Sequence, residues 1–155
     1  MTKFAKISGR RKWLWAYAPL IIWVGVVLGL GSGFGAANET SRIIRPLLEF
    51  LFPSALPETL TLYHGYIRKF AHFAEYAVLG FLACRALAGI GHRFLFAFLL
   101  VVAVAAIDEF NQSYNPARTG SPVDAMIDMA GGLTATLVFY FLNKQRNPSA
   151  KARAE

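Results

Sequence analysis

The stretch RFLFAFLLVVAVAAIDEFNQSY, residues 93–114, decides how the chain is read. Fourteen apolar residues run from Phe94 to Ile107, and Asp108, Glu109 and Gln112 follow at once. Fourteen helical residues rise only about 21 Å, against a hydrocarbon core of ~30 Å. The spacing therefore predicts a helix that continues through the acids to about Tyr114. Such a helix draws two carboxylates toward membrane depth, where they have to face the interior of a bundle. Ionisable side chains are costly there, so they mark a candidate functional site.

Three further apolar stretches flank this one: Trp13–Leu30, which carries no charge, Phe70–Ile90, and Val123–Leu142 with Ser121 as candidate N-cap. The 155 residues are 55% hydrophobic and 16% charged, where a soluble domain carries about 25% charged residues. Apolar residues in blocks predict an all-α fold: a polytopic membrane helical bundle of four transmembrane helices. A short interfacial amphipathic helix is expected over residues 41–51, capped by Thr40 or Ser41, with Ile43, Ile44, Leu47, Leu48 and Leu51 at helical spacing. A partner-protein contact would carry the same pattern. Pro46 is expected to kink or split that helix, and Pro53 and Pro57 to end it. One domain, 13–142, thus lies between a basic leader, 1–12, and a basic tail, 143–155. A cleaved signal peptide is the competing reading of the first stretch, but its apolar run exceeds the usual 7–15 residues. Gly25, Gly29 and Gly33 recur every fourth residue, which predicts a face where a neighbouring helix approaches closely. Cys84 is the only cysteine, so no intrachain disulfide or multi-thiolate site can form.

The pI near 9.9 does not point to nucleic acid. Nine of the sixteen Lys and Arg residues lie in the tails (Lys3, Lys6, Arg10, Arg11, Lys12, Lys144, Arg146, Lys151, Arg153), where a nucleic-acid patch would sit on a folded face. With both tails and the turn bearing Arg85 and Arg93 on the cytoplasmic side, eleven cations lie inside. Five lie outside: Arg42, Arg45, Arg68, Lys69 and Arg118. The positive-inside rule then places both termini in the cytoplasm of a multi-pass cell-membrane protein, with the polar cluster on the outer face and membrane lipids as its first partners.

That cluster has three parts. Lys69, His72 and Tyr76 stand at i, i+3 and i+7 of the second stretch, with Arg68 beside them. Asp108 and Gln112 share a face of the third, next to Glu109. Asp124, Asp128 and Gly131 form a stripe at the start of the fourth, and Arg118 lies on the connecting loop. The bland reading is that Lys69, Arg68 and Arg118 neutralise Asp108, Glu109, Asp124 and Asp128 and pin three helix ends together. The binding reading is a basin for a zwitterionic or sugar-phosphate head group. The catalytic reading uses His72 and Glu109 as acid and base, but no nucleophile elbow, P-loop or metal-ligand spacing accompanies them. No cofactor or metal is therefore expected.

The segment Arg68–Gly80, RKFAHFAEYAVLG, resembles the RKxxHFxEYxxLG signature of the VanZ-like family. Asp108, Glu109 and Gln112, then Arg118, Asp124 and Gly131, resemble its DExxQ…R…D…N…G arrangement; the motifs cover about residues 65–132. The chain departs from the pattern at three positions. Asp128 stands where many members have Asn, Tyr114 replaces a frequent Phe, and Ala117 replaces the Gly that often precedes the arginine. The resemblance implies a small integral membrane protein whose functional positions are Lys69, His72, Tyr76, Asp108, Glu109, Gln112, Arg118 and Asp124. The family's namesake is associated with low-level resistance to teicoplanin, a lipid-tailed glycopeptide acting outside the membrane. The expected function is therefore a non-enzymatic envelope protein of bacterial type that binds an outer-leaflet head group, lipid-linked wall precursor, lipoglycopeptide or envelope partner. The alternative is a membrane enzyme remodelling a lipid-linked or cell-wall substrate.

Overall fold

The computed structural model describes residues 3–31, 37–114 and 121–146. These residues form five α-helices and no strand: α1 Lys3–Gly29, α2 Ala37–Leu51, α3 Pro57–Ala86, α4 Arg93–Ser113 and α5 Pro122–Arg146. The third apolar stretch does continue through Asp108, Glu109 and Gln112 as one helix, capped at Tyr114. Its 21 residues rise about 31 Å. At the start of α5, the Ser121 carbonyl accepts from the N–H groups of Asp124 and Ala125, as an N-cap residue's carbonyl does.

Contacts between the helices set their directions. The Arg85 guanidinium, near the end of α3, donates to the Trp15 carbonyl of α1 at 2.8 Å. Phe94, at the start of α4, stacks near Phe139 and Tyr140 of α5. At the opposite end Gly31, one turn past α1, lies against Asp108 of α4. The four long helices therefore alternate up and down, with α1 and α5 each packed on the α3–α4 pair. Tyr76, Leu79, Ala83, Ala97, Val101 and Val27 form the heart of the core. Cys84 is buried among them and packs.

Two helices, Arg93–Ser113 and Pro122–Gln145, are long and apolar enough to cross a membrane. Only 28% and 22% of their apolar windows are buried, so most of that surface faces outward, as in a lipid-facing helix rather than a soluble core. The apolar part of α1, Trp13–Gly29, is shorter, and α3 carries more charge.

Four details depart from the expectations. The basic leader is already helical from Lys3, and the last helix runs four residues past Leu142. Pro46 does not split α2, which is held by Leu48 buried toward α3 and by an Arg45–Glu49 pair at 3.0 Å. Pro57 does not merely end a segment: it occupies the first turn of α3, where its missing N–H costs nothing and its φ suits a helix. With Glu58 favouring the same end of the dipole, α3 runs 30 residues, about 45 Å, and its first four turns pack on α2. Finally, a Cβ on Gly25 or Gly29 would meet nothing within 4 Å, so no helix crosses closely at these two, and Gly33 lies outside the described residues. The close crossings are at Gly131, where a Cβ would strike the Phe73 carbonyl of α3, and at Gly80 and Gly132, which meet each other and Val101. Glycine there lets α3 and α5 approach backbone to backbone, with the Val101 side chain of α4 packed against Gly132.

Candidate functional site

Asp108 is almost fully buried, 2% exposed, and a bare carboxylate there would be costly. Its Oδ2 accepts from Gln112 Nε2 at 2.9 Å, one turn further along α4, and from Tyr76 Oη of α3 at 3.4 Å. Hydrogen bonds to a charged acceptor contribute roughly 1.5–3 kcal/mol each, which offsets part of the desolvation. Gly31 is the third wall: a side chain there would run into the Asp108 carboxylate, so the end of α1 closes over it only because the residue is glycine.

A second pair lies on the other flank of Tyr76. His72 Nδ1 of α3 is 3.4 Å from Asp128 Oδ1 of α5, with side chains 16% and 3% exposed. Tyr76, fully buried, feels the charges of Asp108, Asp128 and Glu75 together and so joins the two pairs. The Glu75 carbonyl accepts from Trp23 Nε1 at 3.0 Å, which ties α1 to the same level of α3. Nearer the open end, Glu109 takes a hydrogen bond from the Ser121 backbone and faces the charge of Asp124. Among the described residues no group of three or more His, Cys, Asp or Glu is arranged to hold a metal ion.

Tyr76, Asp108 and Gln112 therefore meet directly, His72 meets Asp128, and Glu109 sits electrostatically with Asp124, Asp108 and Asp128. Lys69 does not join them. It lies on the face of α3 that bears Tyr76 but seven residues, about 10 Å, nearer the start of the helix, where it is exposed and forms no ion pair with these carboxylates. Arg68 is half-buried and its charge reaches His64. Arg118 lies outside the described residues, so the expectation that it reaches over the cluster does too. Reasoning from sequence missed Gly31, Trp23, Gly132 and His64. Of these only His64 carried a signal, since it precedes Arg68 by one turn.

The family model described as VanZ/LLP1 matches residues 14–143, most of the chain and every described site residue. The chain belongs to this family. No curated protein and no solved structure matches it. Family membership and the two outward-facing apolar helices make this VanZ/LLP1 protein a membrane-associated protein of the envelope type.

Proposed function

We propose that this VanZ/LLP1 protein crosses the membrane four times, with both termini in the cytoplasm, and binds an outer-leaflet head group or envelope partner in the basin at the Asp108 end. The observation that carries the reading is Asp108 itself. A 2%-exposed carboxylate lies inside the helical bundle bonded to Tyr76 and Gln112, beside the His72–Asp128 pair. A purely structural bundle would be at least as stable with apolar residues at such positions. In this topology α2 lies along the outer interface. Leu48 and Ile44 turn toward α3, while Ile43, Leu47 and Phe50 are exposed to acyl chains. An outer-face basin also suits a role in susceptibility to lipid-tailed glycopeptides such as teicoplanin, which act on that side.

The test combines topology and phenotype. Single cysteines introduced into a Cys84→Ser background should label from outside at position 109 and from inside at position 89. Asp108→Asn and Arg118→Ala should each abolish a lipoglycopeptide-susceptibility phenotype at undiminished membrane abundance. Parent-like behaviour of both variants would sink the basin as the working part.

The His72–Asp128 pair favours a second reading, a membrane enzyme acting on a lipid-linked or wall substrate. An imidazole nitrogen 3.4 Å from a carboxylate oxygen is a pair between which a proton can pass, and Glu109 is a second proton-handling group. Lipid and precursor profiles that change with the gene, and revert in Glu109→Gln, would promote this reading; unchanged profiles would remove it.

A further inference from the structure

The end of the bundle away from Asp108 holds cations and no acid. Along the chain no Asp or Glu occurs before Glu39, between Glu75 and Asp108, or between Asp128 and Glu155. Helices α3, α4 and α5 nonetheless bring Arg85, Arg93 and Lys144 to this end. The nearest acid on the same helix is about 15 Å along the axis from Arg85, about 22 Å from Arg93 and about 24 Å from Lys144. The two arginines are used differently. Arg85 donates to the Trp15 carbonyl of α1 at 2.8 Å. The Arg93 guanidinium carbon lies 4.6 Å from the ring centroid of Phe94 and 5.7 Å from that of Phe139 on α5. Phe139 is braced in turn by Phe81 of α3 at 5.5 Å, and Phe94 by Tyr140 at 5.0 Å. Rings from three helices thus fix the guanidinium. Among the described residues, none of its five N–H donors makes a hydrogen bond or an ion pair.

A positioned fork of donors, with no acid of its own chain in reach, is matched by an anion from outside the protein. We propose that Arg93 anchors a site for an anionic phospholipid on the α4–α5 flank. Its guanidinium takes the lipid phosphate, and exposed Lys144, one turn beyond Tyr140 on α5, adds a second cation. The inference rests on the membrane-spanning reading above, but not on the basin or on which side of the membrane this end faces. Two features select the occupant. Large apolar residues stay exposed close to Arg93 on both helices, Leu95, Phe96 and Leu99 on α4 and Val138 and Phe141 on α5. Acyl chains cover such surface, and free phosphate does not. A zwitterionic head group, moreover, would set its ammonium among Arg85, Arg93 and Lys144 with no carboxylate to receive it. A head group of net negative charge meets only attraction there.

The probes are dioleoyl phosphatidylglycerol, which is anionic, and dioleoyl phosphatidylethanolamine, which is zwitterionic. Each is titrated against the detergent-purified full-length protein and followed by native mass spectrometry. The glycerol lipid should bind at least about tenfold tighter, the scale of one charge-assisted hydrogen bond. Arg93→Gln should remove most of that preference and Lys144→Gln a smaller part of it. Arg45→Gln, on α2 where the arginine is paired with Glu49, should leave it unchanged. An excess of inorganic phosphate should not displace the lipid. Should Arg93→Gln fail to give a monodisperse helical protein, the exposed Lys144 carries the test. Equal affinities overturn the site, and so does a preference that survives both variants because the basic tails supply it. Displacement by phosphate overturns the lipid as occupant. Cysteine labelling at positions 109 and 89 depends on neither lipid, so the spanning reading stands or falls separately.

Discussion

The two ends of the bundle handle charge in opposite ways. At the end formed by the α3–α4 turn, Arg85 and Arg93 are exposed in the first case and half-exposed in the second. Arg85 donates to the Trp15 carbonyl and Arg93 lies over the rings of Phe94 and Phe139, 4.6 Å and 5.7 Å from their centroids. Long cationic side chains at a helix end reach outward and cost the fold little. At the other end, besides the cations Arg68 and Lys69, lie short carboxylates that cannot reach out. Asp108 and Asp128 are drawn inward, and a tyrosine, a glutamine, a histidine and a glycine are arranged around them. Only the second arrangement uses side chains whose sole evident task is to accommodate a costly group. The two ends are thus distinguishable by the direction in which charge points, independently of its amount.

The largest test of this contrast is steric. Gly131→Ala places a methyl group against the Phe73 carbonyl and should cost about 3 kcal/mol, the upper end of overpacking penalties. Gly89→Ala, at the arginine end with nothing within 4 Å, should stay within about 0.5 kcal/mol. Thermal unfolding of the two purified variants reads the difference, and equal midpoints would dissolve the distinction between a packed end and an open one.

A smaller effect is expected from polar deletion. Tyr76→Phe removes the Tyr76 hydrogen bond to Asp108 Oδ2 and should destabilise by about 1–3 kcal/mol. Arg85→Gln removes an exposed contact and should cost no more than about 1 kcal/mol. A reversed order would mean that the arginine end is the better-built one.

The smallest effect concerns the α2–α3 contact. Burial, and then the charge of Arg68, hold the His64 imidazole below its usual value of 6.5. The neutral ring is therefore favoured in the folded protein, and the unfolded chain binds the extra proton first. The contribution of His64 is fully present above pH 6.5 and is lost as the pH falls through its lowered folded value. The amide-exchange protection factors of α2, taken against the intrinsic rate at each pH, should fall from pH 7.5 to pH 5, and His64→Gln should flatten that dependence. An α2 whose protection ignores pH in the parent protein would remove the sensitivity.

Much of this architecture was legible because membrane-length apolar runs leave few alternatives. The extension of α4 through Asp108 followed from length alone, since fourteen residues are too few to span a bilayer. The pairing of Asp108 with Gln112 followed from four-residue spacing. What failed was information that only neighbours supply. The spacing of Gly25 and Gly29 is that of a close-packing face, yet whether a helix arrives there is decided elsewhere, and it arrives at Gly131 and Gly132. Pro57 punctuates a sequence in the same way whether it stops one helix or starts the next, so the first four turns of α3 were lost with it. Lys69 shares a face with Tyr76, as its spacing says, but spacing does not tell how far down the helix the cover reaches, and two turns above the buried tyrosine Lys69 is exposed.

The contact between Gly131 and Phe73 has a mechanical corollary. It sits beside His72 and one turn from Asp128, where two backbones touch with no side chain between them to yield. The third and fifth helices consequently behave as a single strut at the level of the basin, and widening it by parting them would unseat the seam. Any breathing at this level falls to the flank of the first two helices, whose polar ties near the basin are Trp23 on the Glu75 carbonyl and Thr40 on His64.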